Sequence, residues 1–228
     1  MSTSLTSQLT QSLRDALLNG DFLPGEHLRL NHLSKQFEVS LSPLREALSR
    51  LAAEGLLVAH DQRGYQVAPV SARNYQEITT LRLMLEPYAL RKSIELGDES
   101  WEVDLLAANH RLQQVEHRHE GGPDGDAHPE WEARHRHYHM TLISAGEMPV
   151  LTHFCESLLT FSDRYRRLFI KHGGLDRNIS GEHDAILKAT LNRDADQACA
   201  LLSQHIERTA HNIQQALLNK SLQTEEVE

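Results

Sequence analysis

Val39-Ser40-Leu41-Ser42-Pro43-Leu44-Arg45-Glu46-Ala47-Leu48, continuing as Ser49-Arg50-Leu51-Ala52-Ala53-Glu54-Gly55-Leu56-Leu57, is the stretch on which the fold turns. It reads as a tight turn, a capped helix and the start of a strand. Ser42 is a good N-cap, because its hydroxyl can accept from an orphan backbone N–H. Pro43 suits the first helical position, where no N–H is needed and φ already lies near the helical value. Leu44, Ala47, Leu48 and Leu51 recur at i, i+3, i+4 and i+7 and form one apolar stripe. Arg45, Ser49 and Arg50 fall off that stripe and face outward. Gly55 ends the helix.

Working outward, Leu30, Leu33 and Phe37 make a second, shorter stripe upstream. Val39-Ser40 is the only link between the two helices, so they cross steeply, as in a helix-turn-helix. Downstream, Leu56-Leu57-Val58-Ala59 and Tyr65-Gln66-Val67-Ala68 read as short strands joined by His60-Asp61-Gln62-Arg63-Gly64. A helix-turn-helix followed by a hairpin is a winged helix.

Residues from about Leu9 to Val70 resemble the DNA-binding domain of the GntR family. The resemblance rests on Leu23-Pro24-Gly25-Glu26, on Val39-Ser40 with Pro43-Leu44-Arg45-Glu46-Ala47-Leu48, on Glu54-Gly55-Leu56-Leu57 and on Arg63-Gly64. It implies that Ser40, Ser42, Arg45 and Gly64 touch DNA, with Arg50 and Arg63 as phosphate partners. The family usually has Arg where this chain has Leu41, and Leu cannot bond guanine bidentately. Either the operator differs there, with a thymine methyl against Leu41, or affinity is weaker.

Charge does not announce a nucleic-acid binder. Up to Val70 the basic residues are Arg14, Arg29, Lys35, Arg45, Arg50 and Arg63; the acidic ones are Asp15, Asp21, Glu26, Glu38, Glu46, Glu54 and Asp61. The segment is near neutral and the whole chain is net −9, so any DNA binding is expected to be local and salt-sensitive. No apolar run is long enough to span a membrane. Met1 to Ser4 lacks a basic start and a signal core. Cys155 and Cys199 stand far apart, suggesting neither a disulfide framework nor a CxxC metal site. A reducing cytoplasm is expected.

Beyond about Arg73 the pattern is all helical. Asn74 to Leu96 carries Ile78, Leu81, Leu85, Tyr88 and Ala89; Trp101 to His119 follows. A polar loop, Glu120 to Asp126, leads to a helix from Glu130 to Ala145, then a long one to about His172. Gly173-Gly174 interrupts, Gly181 to Leu191 is helical, and Asp194 starts the last long helix. Short connections between long helices imply an antiparallel bundle. The expected organisation is mostly α: a winged helix-turn-helix over residues 1–72, an all-α bundle over 73–222 and a tail at 223–228.

The histidines are placed informatively. His135 and His139 are four apart and share a helix face. His183 lies nine residues before the turn Asn192-Arg193-Asp194 and His205 eleven after it. At a rise of roughly 1.5 Å per residue, antiparallel helices bring these two to nearly one height. Four imidazoles could then converge inside the bundle, a donor set that suits Zn, Ni, Cu or Fe. His110, His117, His119, His128, His137, His153, His172 and His211 read as surface or loop residues.

Residues from about Asn74 to Leu218 resemble the FCD effector domain of the FadR-type GntR subgroup. The match lies in Leu81-Arg82-Leu83-Met84-Leu85-Glu86-Pro87, in Tyr138-His139-Met140-Thr141-Leu142-Ile143-Ser144-Ala145, and in Glu182-His183-Asp184-Ala185-Ile186-Leu187-Lys188-Ala189 with Arg193-Asp194-Ala195-Asp196 and His205. Many such domains bind a divalent metal through one Asp and three His. His139, His183 and His205 match the histidines, and His135 stands where the Asp is expected. Imidazole in place of carboxylate favours Zn, with Ni next, over Mg or Mn. The resemblance also implies that Arg82 faces the same cavity and pairs with a carboxylate effector; the alternative is a surface salt bridge to Glu86. The expected function is a dimeric regulator of a palindromic double-stranded DNA operator, modulated by a small organic acid. A metal sensor is the alternative, then a metal-dependent enzyme. An enzyme is not expected, since Glu182 and Asp184 are turned off the His183 face and no Ser/His/Asp or Cys/His set appears.

Overall fold

The computed structural model describes residues 4–61, 63–119, 129–169 and 178–225, with the side chains of 117–119 and 220–225 excepted. The loop read at Glu120 to Asp126, the Gly173-Gly174 break, and His117, His119, His128 and His172 lie outside the described side chains. The chain divides into two compact units, Met1–Ser71 and Ala72–Glu228.

In the first unit, α1 (Leu5–Asn19) starts at Ser4, whose hydroxyl accepts from Ser7 N–H, and stops at Gly20. Gly20 takes φ +80°, a left-handed conformation that glycine adopts without a Cβ clash. Leu9, Leu13 and Leu17 form its buried stripe and pack on α3 (Leu41–Ala53). α2 (Leu30–Gln36) precedes α3. The linker is Phe37–Ser40 rather than Val39-Ser40 alone. Glu38 turns it with φ +54°, and Ser34 Oγ–H clips it by donating to the Val39 carbonyl at 2.6 Å.

α3 begins two residues before the position read for it. Ser40, not Ser42, is the N-cap residue, and its side chain makes no capping hydrogen bond. Pro43 is therefore the third helical residue, still within the first turn, where a missing N–H costs nothing. Gly55 follows the C-cap Glu54 with φ +76°. Leu44, Ala47, Leu48 and Leu51 are all fully buried, each worth roughly 1.5–3 kcal/mol of transfer free energy for the larger side chains.

Three antiparallel strands complete the unit. β2 (Leu57–His60) and β3 (Gly64–Val67) form the expected hairpin. β1 (His27–Leu28) adds to the other edge of β3, giving the order β1-β3-β2, with His27 opposite Gln66. Two residues carry no period, so this strand was invisible in the sequence.

Every described element of the second unit is a helix: α4 (Ala72–Leu96), α5 (Glu99–His119), α6 (Pro129–Leu142), α7 (Pro149–Phe169), α8 (Ile179–Leu191) and α9 (Ala195–Glu225). α9 runs into the stretch read as a tail. α4 packs against α7 and α9, and α5 against α6 and α8. Leu90, Leu105, Leu112, Tyr138, Ile186 and Leu202 fill the centre with no exposed surface. Trp101 Nε1–H donates to the Thr141 carbonyl at 2.8 Å, and Tyr138 O–H to the His183 carbonyl at 2.9 Å. The second bond locks α6 to α8 beside the histidines.

One stripe was misread. On α4, Leu81 is 40% exposed and Tyr88 47%, while Arg82 and Glu86 are buried. The inward face runs Tyr75, Ile78, Thr79, Arg82, Glu86, Ala89 and Leu90. A charged pair that neutralises itself can occupy positions where apolar periodicity expects leucine. No helix of the described residues is long and apolar enough to cross a membrane.

Candidate nucleic-acid interface and metal centre

α3, α2 and the hairpin enclose an open groove of about 1180 Å³ in the first unit. Arg29, Lys35, Arg45 and Arg63 line it, against Asp61 as the single acid among its lining residues. The near-neutral tally thus hides a segregated charge. The two remaining cations are engaged elsewhere. Arg14 pairs with Glu54 at 2.6 Å, and Arg50 with Glu46 at 2.5 Å. Arg45, Arg63 and Gly64, all read from the sequence, meet in this groove; Arg50 does not line it. Ser40 and Ser42 are exposed at the start of α3, outside the lining residues.

Two devices hold the wing to the helix. Tyr65 O–H reaches the Arg45 carbonyl at 3.4 Å, and its oxygen shares a hydrogen bond with Ser49 Oγ, 2.7 Å away. Gly64 takes φ +82° where the hairpin turns. Sequence reading missed Arg29, His32 and Lys35 as groove residues. Arg29 is the N-cap residue of α2, which carries His32 and Lys35, and these side chains meet α3 only through the tertiary fold.

In the second unit α6 supplies His135 and His139, α8 His183 and α9 His205. One ring nitrogen from each lies within 4.8 Å of the others, and all four residues are buried. His135 Nε2 and His139 Nε2 are 3.1 Å apart. Two imidazole nitrogens each about 2.0–2.1 Å from a common ion would be separated by roughly that distance. Among the described residues, His183 has no hydrogen-bond partner on either ring nitrogen, and Nδ1 of His135 and His139 has none. Burial, reinforced by the charges of the neighbouring rings, holds His135 and His139 well below the usual histidine range. They are neutral at physiological pH, the form that ligates metal. The residues present therefore fit a divalent transition metal.

Around these rings lies a shell that the sequence did not reveal. Glu182 is not turned away as expected: its Oε2 pairs with His205 Nδ1 at 2.9 Å, and its Oε1 accepts from Arg208 at 2.9 Å. This contact leaves His205 Nε2 to face the cluster. Asp184 does point elsewhere, accepting from Asn109 and Gln113. Glu116 Oε1 lies 3.6 Å from His183 Nδ1. Trp131 stacks on His135 with centroids 4.6 Å apart, and the Arg166 guanidinium sits 4.8 Å over Trp131.

Arg82 combines features of both readings made for it. It donates to Glu86 Oε1 at 2.5 Å, but as a buried pair rather than a surface bridge, and to Ser162 Oγ at 2.8 Å. Burial opposes its charge; Glu86 more than offsets this and holds it protonated. Arg82, Arg166, His135 and His205 line one cavity of about 20 Å³, room for roughly one water. His110, His137, His153 and His211 are exposed, and Cys155 and Cys199 are free and buried.

Comparison with known proteins covers both units. The family model described as "FCD domain" matches residues 77–208, and that described as "Bacterial regulatory proteins, gntR family" matches residues 5–67. The HTH-type transcriptional regulator BphR of Paraburkholderia xenovorans is 34% identical over 93% of this chain and 86% of its own length. The HTH-type transcriptional repressor GlaR of Escherichia coli is 31% identical over 90% and 94%. The solved structure of E. coli McbR/YncC shares the fold, with a TM-score of 0.76 at 24% identity, over 94% of this chain and 99% of that one.

Proposed function

The chain belongs to the gntR family of bacterial regulatory proteins and carries an FCD domain, and from that premise we propose that a small organic acid, bound at a metal in the helical unit, modulates operator binding. Its relatives are transcriptional regulators, not enzymes, and the gntR unit makes it a DNA-binding regulator. The observation that carries the finer reading is the convergence of four buried imidazoles, two of which, His135 and His205, line a cavity together with Arg82.

His135, His139, His183 and His205 would hold the ion, Zn2+ by preference and Ni2+ next, as suits an all-imidazole set. A bound ion would supply coordination positions for a carboxylate oxygen. Arg82 would take the acid's other oxygen in a bidentate fork, exchanging Glu86 for it. The cavity of about 20 Å³ must open to admit any acid, so binding and rearrangement are one event. In a cytoplasmic homodimer, that rearrangement would alter how two recognition helices meet a palindromic operator.

The test is a DNA-binding titration of the full chain after chelation, then with Zn2+ or Ni2+ restored, with and without a panel of small carboxylates. Operator affinity should change only when metal and an acid are both present. A His139→Ala, His183→Ala double variant that keeps both its metal content and its acid response would refute the reading. The small cavity favours a second reading, in which the metal itself is the signal. Chelation alone would then change DNA affinity, and no acid would add to it.

A further inference from the structure

We infer that Leu41 selects a thymine in each half-site of the operator, through the 5-methyl group of that base. The inference rests on the DNA-binding role of the first unit. Leu41 is the first residue of α3, and the N-terminal residues of the second helix of a helix-turn-helix reach base edges in the major groove. It lies in line with the apolar stripe of Leu44, Leu48 and Leu51, yet those three are fully buried while Leu41 is 39% exposed. The core of the unit is closed without it. Its side chain instead lines the groove shared with Arg45 and Arg63. Arg45 follows it by four residues, so the two share one face of the helix.

That placement puts one large apolar group at the reading tip, flanked by cations that suit phosphates or guanine. In the major groove thymine alone among the four bases presents an apolar group, its 5-methyl. Against any other base, Leu41 would desolvate an acceptor or donor and return no hydrogen bond. Contact and penalty therefore select the same base. This favours a different operator base over simple loss of affinity as the consequence of leucine at this position.

The experiment begins by selecting duplexes from a randomised library with the full chain. Each thymine of the selected duplex is then replaced in turn by deoxyuridine, which removes only the methyl. One symmetry-related pair of thymines should show about fourfold weaker binding per methyl, the effect of one buried methyl group. In Leu41→Ala that sensitivity should vanish, and Leu41→Arg should move the preference at the same position to guanine. A selected duplex without such a thymine, deoxyuridine duplexes that all bind like the parent, or a sensitivity that survives in Leu41→Ala would each overturn the inference. If Leu41→Ala fails to fold, Leu41→Arg supplies the same test, and unmodified protein that is blind to every deoxyuridine overturns the inference without any variant. Failure to enrich any sequence would instead refute the DNA-binding role itself, and this inference with it.

Discussion

Replacing Arg166 with Met removes the cation that two buried carboxylates share. Arg166 is 6% exposed, Glu132 1% and Asp163 3%. The guanidinium donates to both Glu132 oxygens, at 2.5 and 2.6 Å, and to Asp163 Oδ1 at 2.6 Å. Burial pushes it toward the neutral form, and the two carboxylates more than reverse this. Methionine keeps much of the apolar stem, so the change is chiefly one of charge. Removing one partner of a buried pair costs about 3–5 kcal/mol. Arg167 stays 3.3 Å from Glu132, and Arg136 3.4 Å from Asp163, which places the expected loss near the lower figure. At roughly 2–4 °C per kcal/mol for a unit of this size, Tm should fall by about 6–12 °C, read by far-UV circular dichroism. The decisive step is a cycle with Glu132→Gln. The double variant should be less destabilised than the sum of the singles by about 1 kcal/mol or more, because no carboxylate is left stranded at that position. Single effects that add within about 0.5 kcal/mol, or an unchanged Tm in Arg166→Met, would refute the account of this network as one coupled unit.

Three further outcomes follow from the same geometry. Glu182→Gln should weaken Zn2+ binding by about 10–100-fold, measured by competition with a chromophoric chelator, because the carboxylate that orients His205 is lost. Stability should decline with acid. His135 and His139 are held below the ordinary value of 6.5 in the folded state, so the unfolded chain binds more protons, and their contribution, full above about pH 6.5, is lost as pH falls below it; a metal-free Tm that is flat from pH 7.5 to about 5 would contradict this. In anisotropy titrations on the selected duplex, Arg45→Ala should cost about 1–3 kcal/mol or shallow the salt slope by about one, while Arg50→Ala, whose guanidinium pairs with Glu46 off the groove, should leave both nearly unchanged.

The histidine cluster was legible as two pairs, because the spacing within each pair follows from helix geometry. Four residues separate His135 from His139, and a short hairpin sets His183 against His205. The surrounding shell was not legible. Glu132, Asp163 and Arg166 look like ordinary polar-face residues, and an Asp–Arg pair three apart occurs on any solvated helix. Nothing local says that these three are buried. For the same reason apolar periodicity places Leu81 and Tyr88 inward, and only the family resemblance places Arg82 in the cavity rather than in a surface bridge.

Local periodicity, glycine breaks and motif order by themselves determined the winged helix, the helical bundle and two histidine pairs, one on α6 and one across α8 and α9, since each depends on contacts within one or two neighbouring elements; packing of α6 against the others brings the pairs together. Only the tertiary structure decided where charge goes. It gathers Arg29, Lys35, Arg45 and Arg63 into one groove while tying Arg14 and Arg50 to carboxylates, so a neutral sum becomes a cationic surface. It also buries Arg82 and Arg166 beside the histidines, because a guanidinium can leave water only where carboxylates from the same turn or a distant helix meet it. Those partners are set by packing between helices, which no single stretch of sequence encodes.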